Sequence, residues 1–325
     1  MLTSPVSADH HAGMIRRVAM SSAPSRSALA ASWSRSLLHH GLEPECRRRP
    51  ERLSSAALRD RREAARTLLR VATPILDRLA GVVTETGSAL MLGLADGLIV
   101  EERLRDADRP MFGEVGLTTG ARWSEADEGT NGIGTALAER RAMVIWRDQH
   151  FHNRNLALTC MSAPIEAPDG GNAGVIDISS CRRDLSEGQA RLIALTVQDA
   201  AIRIGSELFR LAHPDARLVT LATDPHSGPC LIAVDDSDLI VSCNRAARRM
   251  LRLSAEDIAR HPPFADLMRQ DRARGDIAGA VRSEVVRALK RSGGNVTLAA
   301  RDLRIGRSTL YRKIKSLGLT GHLKS

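Results

Sequence analysis

Arg307, Ser308, Thr309, Tyr311, Arg312 and Lys313 place three cations, two aliphatic hydroxyls and a phenol within one short stretch of a 325-residue chain. An arginine fork grips the O6 and N7 of a guanine, hydroxyls reach base edges or phosphates, and clustered cations displace the counterions condensed on a polyanion. That set of side chains recognises; it does not make or break bonds. The charge agrees: residues 276–325 carry eleven basic against three acidic residues, +8 of the chain's formal +9. The implied partner is double-stranded DNA.

Such side chains act only if a rigid element presents them. Val281, Val285, Val286 and Leu289 recur at helical spacing and stop at Ser292-Gly293-Gly294, which predicts a first helix and its C-terminal stop. Asn295 is a good N-cap for a second helix, in which Leu298, Ala299, Ala300 and Leu303 form a small-residue face. After a turn at Arg304-Ile305-Gly306, a third helix over residues 307–317 turns Leu310, Ile314 and Leu317 inward and leaves the polar side chains outside. The string GNVTLAARDLRIGRSTLYRKIKSLG resembles the Fis-type helix-turn-helix that closes many bacterial sigma-54-dependent activators. That resemblance implies backbone contacts from Asn295 and Thr297. It further implies base or nearby phosphate contacts from Arg307, Thr309, Tyr311 and Arg312, with Ser308 on the same outer face and Lys313 on phosphate. Two positions depart from the pattern. Arg304 stands where a turn glycine is usual, and Gly306 replaces a serine cap.

The remainder has the length for one or two further domains, and 43% hydrophobic residues suffice for packed cores. With 4 Phe, 3 Trp and 1 Tyr, the composition argues against a single-strand surface built on stacking platforms. Cys46, Cys160, Cys181, Cys230 and Cys243 have no metal-type spacing and read as reduced thiols. No apolar run has the length of a membrane span, so a soluble cytoplasmic protein is expected. Residues 1–27 read as a flexible tail. Helical spacing is expected near residues 32–38, over 54–81 and over 186–211, with strands at 89–94, 98–100, 142–146, 158–165 and 173–178. Pro168-Asp169-Gly170-Gly171 supplies a hairpin turn. The sum is an α+β domain with an antiparallel sheet. The basic run Arg47-Arg48-Arg49 with Arg52 reads as a solvated surface rather than a contact.

Separated blocks in this region resemble the GAF-type sensor domain of the acetoin-catabolism regulator (AcoR) family. They are Glu128-Gly129-Thr130-Asn131-Gly132-Ile133-Gly134-Thr135, His150-Phe151, Leu158-Thr159-Cys160, Pro168-Asp169-Gly170 and Gly174-Val175-Ile176-Asp177, with an upstream Ser32-Trp33 and Gly41-Leu42-Glu43-Pro44. The implied architecture is a sensor domain over residues 28–213, a reduced PAS-like linker over 214–270, and the all-α Fis-type module over 276–325. Gly132 and Gly134 lack the third glycine and the preceding strand of a dinucleotide loop. Neither a phosphate-binding GxxxxGK[ST] loop nor the GAFTGA string of the resembling activators is found in the sequence, so action by binding is expected, without ATP-driven sigma-54 activation.

For a small effector, the candidate residues are Trp123, Asn131, Trp146, His150, Phe151 and Cys160. Set against this is the ordinary reading, in which they are packed, hydrogen-bonded core residues. The pairs His10-His11 and His39-His40 have no metal-ligand companions, and Cys160 with His150 lacks an orienting third group. No metal, cofactor or catalytic residue is therefore expected. The expected function is sequence-specific, dimeric binding of an inverted repeat, responsive to a small molecule and exerted by repression or by contact with RNA polymerase. The alternative is an ATPase-less partner that modulates a full-length relative through mixed dimers or site competition.

Overall fold

The structure, a computed structural model, describes residues 8–224, 228–270 and 277–319. They belong to two compact units, Met1–Ala212 and His213–Ser325. In the first unit α1 (Ala8–Ala19) and α2 (Ala28–Ser34) precede α3 (Ser55–Ala64) and α4 (Arg66–Val83). The sheet strands are β1 (Ser88–Leu94), β2 (Ile99–Arg103), β3 (Met143–Trp146), β4 (Thr159–Glu166) and β5 (Asn172–Ser180). Between β2 and β3 lie α5 (Arg109–Val115), α6 (Glu125–Glu128) and α7 (Gly132–Glu139), and α8 (Glu187–Ala212) closes the unit.

The five strands are ordered β2-β1-β5-β4-β3, and every neighbouring pair is antiparallel. Because side chains alternate across a strand, Leu90, Leu92, Met161, Ala163, Ile176 and Ile178 all reach one face, where α4 and α8 cover them. Ala89, Met91, Val175 and Cys160 reach the other face, beneath α5, α7 and the segment through Trp123. With helices on both faces the inner strands are buried on both sides: β1 is almost wholly apolar, while β4 and β5 carry buried polar residues among apolar ones. No helix among the described residues is long and apolar enough to cross a membrane.

Two expectations change here. The supposed tail contains α1, whose Ala12, Ile15 and Ala19 are buried and whose His11 ring bridges the Asn153 side chain at 2.6 Å and the Asp148 carbonyl at 3.0 Å. Its inward side is His11, Ala12, Ile15 and Ala19 flanked by half-buried Met14 and Val18, a pattern broken by the histidine and the small alanines; residues 1–7 lie outside the described range. The helix expected over 54–81 is interrupted at Ala65, where ψ is 12° and three carbonyls of α3 share one amide.

In the second unit β6 (Arg217–Asp224), β7 (Gly228–Val234) and β8 (Ile240–Cys243) form an antiparallel sheet in the order β6-β7-β8. Short helices α9 (Arg245–Leu251), α10 (Ala255–Ala259) and α11 (Phe264–Gln270) follow, and Cys230, Ile232, Val234, Ile240 and Ile258 share a small core. The β6 strand is mostly exposed along its length, which is why no apolar pattern marked it in the sequence. Then come α12 (Ile277–Arg291), α13 (Val296–Asp302) and α14 (Arg307–Ser316), joined by turns at Gly293-Gly294 and Arg304. Val285, Leu289, Ala299, Ala300, Leu310 and Ile314 build their common core. Leu298 instead is 51% exposed, so the inner face of α13 rests on Val296 and the two alanines.

Arg304 has φ +51°, the left-handed conformation in which a Cβ is strained. Arg304→Gly should therefore stabilise the second unit by roughly 0.5–1 kcal/mol in urea unfolding; an unchanged or lower midpoint would show that the turn carries no strain.

Candidate functional site

The α14 helix is anchored from within and open outside. Leu310 and Ile314 are buried, while Arg307, Ser308, Tyr311 and Arg312 are exposed and Thr309 and Lys313 half-buried. No carboxylate occurs on the helix, and Arg307, Arg312, Lys313 and Lys315 form no ion pair among the described residues. Other cations of the module hold the fold instead. Arg291 bonds the Asp302 carboxylate from Nε at 3.0 Å and from its terminal nitrogen at 2.5 Å, tying α12 to α13, and Arg287 meets Asp266 of α11 at 2.7 Å. Charge is thus divided between scaffold and surface within one sequence run.

Entry into each helix shows how the turn residues position this surface. Asn295 Oδ1 accepts from the Thr297 and Leu298 amides at 3.0 and 3.2 Å, which fixes the start of α13; Thr297 itself is exposed. Gly306 caps α14 without a side-chain acceptor, leaving the first amides beside Arg307 open to an anionic oxygen. Backbone dipole, arginine fork and hydroxyls face one side. The arrangement suits the phosphates and base edges of a major groove.

The candidate effector residues do not form one site. Asn131, His150 and Cys160 lie around a polar centre in the otherwise apolar face beneath α7. Trp123 is buried in that face with its indole nitrogen donating to the Gly116 carbonyl at 3.1 Å. Trp146 is on the opposite face of the sheet, with the Arg147 guanidinium 4.9 Å from its ring centre. Phe151 packs elsewhere, against Ile15, Ala19 and Trp33.

Asp177, Ser162 and Ser179 complete the polar centre and were not singled out in the sequence. Ser162 and Ser179 donate to the two Asp177 oxygens at 2.5 and 2.6 Å, and Ser179 lies 3.0 Å from the Cys160 sulfur. The signal was available: in Val175-Ile176-Asp177-Ile178-Ser179 the period of two puts Asp177 and Ser179 on the same inward face as Val175. Burial pushes the Asp177 carboxyl up to about 6 against the pull of both hydroxyls. His150 Nδ1 donates to the Arg147 carbonyl at 3.0 Å, so Nε2 presents its lone pair to Cys160 Sγ at 3.3 Å. Burial holds the imidazole down to about 4 and pushes the thiol well up, the reverse of the thiolate and imidazolium that a nucleophilic cysteine requires.

Gly132, the first residue of α7, closes over this centre. A Cβ there would meet Ser162 Oγ, Cys160 Cβ at 2.5 Å and Asp177 Oδ1 at 2.9 Å. Asn131 is spent on the entry to the same helix, accepting from the Gly134 amide and donating to the Gly129 carbonyl, both at 2.8 Å.

A second buried network fastens this region to the N-terminal helices. Arg35 reaches both Glu125 oxygens at 2.7 and 2.9 Å and Glu139 at 2.8 Å, while Ser32 Oγ donates to Glu125 at 2.5 Å and contacts Thr130 at 2.7 Å. Nearby, Arg154 pairs with buried Glu128, whose carboxyl burial raises to about 7.

With this geometry in place, residues 11–201 match the family described as MimR, N-terminal domain, and residues 282–317 match the bacterial regulatory protein, Fis family. The acetoin catabolism regulatory protein of Cupriavidus necator is 30% identical over 68% of this chain and 34% of its own length. The propane 2-monooxygenase operon transcriptional activator MimR of Mycolicibacterium smegmatis is 31% identical over 48% of this chain and 26% of its own. The chain thus spans about a third or less of the length of these two relatives. The structure of the E. coli DhaR(N)-DhaL complex superposes with a TM-score of 0.51 at 16% identity, over 70% of this chain and 78% of that one, a likeness of fold alone.

The polar centre sets two expected outcomes. Gly132→Ala should lower unfolding free energy by about 1–3 kcal/mol in urea titration, since the contacted atoms belong to paired strands; a neutral effect would mean the helix can lift. For His150 the folded value lies below the ordinary 6.5, so its stability contribution is complete above that pH and is lost as pH falls toward 4. His150→Gln should accordingly lose about 2 kcal/mol less than the parent between pH 7 and pH 5; identical losses would contradict the buried neutral ring. The chain belongs to the MimR N-terminal domain family, its relatives are AcoR- and MimR-type transcriptional regulators, and its second unit carries a Fis-family helix-turn-helix.

Proposed function

We propose that the chain is a sequence-specific transcriptional regulator that binds duplex DNA through α14 as a dimer on an inverted repeat. The observation that carries this reading is a helix with buried Leu310 and Ile314 whose outer face offers Arg307, Ser308, Tyr311 and Arg312 with no opposing carboxylate. Two-fold pairing puts the reading helices of two copies one helical turn of DNA apart, roughly 34 Å.

The first unit, in this reading, is a GAF-type sensor for a small molecule. Supporting it are the covered five-stranded sheet and the polar centre at Asp177, His150 and Cys160, an unusual concentration of hydrogen-bonding groups inside an apolar layer. Relatives named for acetoin catabolism and for a propane 2-monooxygenase operon support control by a small metabolite. Occupancy of DNA is the output, without ATP-driven opening of a sigma-54 promoter. What supports this is the content of the chain between α8 and α12, a small PAS-like sheet with α9, α10 and α11. RNA polymerase would be contacted from the bound complex.

Mobility shifts on the DNA upstream of the protein's own operon test the reading. Arg307→Ala should relax base preference by about 1–3 kcal/mol at one position. Lys313→Ala should weaken all sequences alike and reduce the salt slope by about 1. Equal affinity of the parent for operator and competitor at physiological salt would end the proposal.

A further inference from the structure

The α3 helix is ten residues long and has no buried residue. Leu58, half-buried against the core, anchors it, and most of the remaining length is surface. That surface is basic: residues 47–70 contain nine arginines and no lysine, against Glu51, Asp60 and Glu63. Several of these arginines are neutralised in the fold, Arg48 by Glu51, Arg61 by Asp96, Arg62 by Glu101 and Arg66 by Glu63. Arg47, Arg49, Arg52, Arg59 and Arg70 are exposed and meet no carboxylate among the described residues; Arg52 donates only to the Thr119 carbonyl at 3.1 Å.

Asp96 bridges Arg61 of α3 at 2.7 Å and Arg122 at 3.3 Å, and Arg122 lines with Arg48, Arg49, Arg52 and Arg154 a cleft of about 850 Å³ whose rim also carries Glu43, Glu51, Asp127 and Glu128. Arg59, Arg62 and Arg66 flank a second groove along α3 and α4, beside Asp60 and Glu63. Meanwhile the apolar side chains of α4, Leu68, Val71 and Leu76, are turned into the core, so the surface lacks the apolar stripe of a membrane-lying helix.

We propose that this arginine surface of the first unit is a second contact to the phosphate backbone of duplex DNA, additional to α14. The inference rests on the reading of the chain as a DNA-binding regulator. Guanidinium forks match phosphate oxygens in pairs, and cations spread over a loop and two helices suit a polyanion of extended, regular charge. Such contacts fix position and add affinity, and they carry no base preference. The basic run at Arg47–Arg49 and Arg52, read from the sequence as merely solvated, becomes functional when α3 and α4 extend it.

Fluorescence anisotropy of the full chain on an operator duplex and an unrelated duplex, across a potassium chloride series, provides the test. In the combined variant Arg49→Gln, Arg52→Gln, Arg59→Gln and Arg70→Gln, the slope of log affinity against log salt should become shallower by about 0.9 for each phosphate left without its arginine, about 2–4 in all. Affinity should fall for both duplexes with the ratio between them unchanged. The same four positions changed to lysine should keep most of the slope, and the thermal unfolding of all variants should match the parent because the side chains are exposed. Parental slope and affinity in the glutamine variant would overturn the second contact, whether or not the variant had lost affinity for anionic vesicles or an acidic protein. Arg307→Ala with Arg312→Ala separates the two claims. If that variant loses operator preference while the glutamine set changes nothing, only the second contact falls; if the parent binds no duplex, both claims fall.

Discussion

A carboxylate taken out of water must be met by donors, and in the first unit Glu125 is where that requirement gathers the surrounding elements. Glu125 sits on α6 with only 6% exposure and receives Arg35 in bidentate fashion together with the Ser32 hydroxyl. Removing Arg35 would leave the buried Glu125 carboxylate without its main donors. α2 is therefore committed to α6, and the same arginine extends to Glu139 at the end of α7. With α7 held at both ends, Gly132 is brought down onto the sheet over Asp177 and Cys160, a placement only a residue without Cβ permits. One ion pair thus links the N-terminal helices, the covering helix and the polar centre beneath it. A ligand reaching that centre would have to shift α7, and a shift of α7 strains the Arg35 pair; this is a physical route by which binding could be felt at the N-terminal helices.

The second unit is organised by different means. Its helices are short, so caps and turns settle where they begin and end. Asn244 caps α9 while bonding across to β7, Ser254 caps α10, and Asn295 caps α13. Gly293 and Gly294 provide two successive left-handed residues between α12 and α13, whereas Arg304 takes that conformation with a side chain between α13 and α14. The small core of alanines, valines and leucines lets the helices approach closely and contains no cation among the described residues. Charge is thereby divided: Arg287 and Arg291 are paired within the fold, and Arg307 and Arg312 are exposed with no ion pair among the described residues.

Elements whose burial follows one clear period could be read from the sequence. α12, α14, α8 and β1 carry leucine, isoleucine or valine at regular positions, and glycines mark the turns before α13 and between β4 and β5. α1 and β6 were missed because histidine and small alanines interrupt the inward face of the first and the second is exposed along most of its length. The interior of the sensor-like unit was harder for another reason. Which of two faces a residue occupies depends on strand order, so Trp146 and Cys160, both on strands and both reasonable candidates, end on opposite sides of one sheet. Phe151 follows His150 directly, yet the chain turns between them and the ring joins a separate cluster with Trp33. Asp177 was hidden among apolar neighbours as part of a motif, although its parity with Val175 placed it inward.

The central claim is a folded sensor-like unit joined in one chain to a helix that reads DNA. Hydroxyl-radical footprinting of the full chain on the DNA upstream of its own operon tests this most directly, because it reports place and symmetry together. Two protected patches, related by a dyad and centred about one helical turn apart, roughly 10–10.5 base pairs, are the predicted result. Uniform protection without boundaries, unchanged when the sequence is scrambled, would show that the positive charge of the second unit gives only general affinity for a polyanion and would contradict the claim.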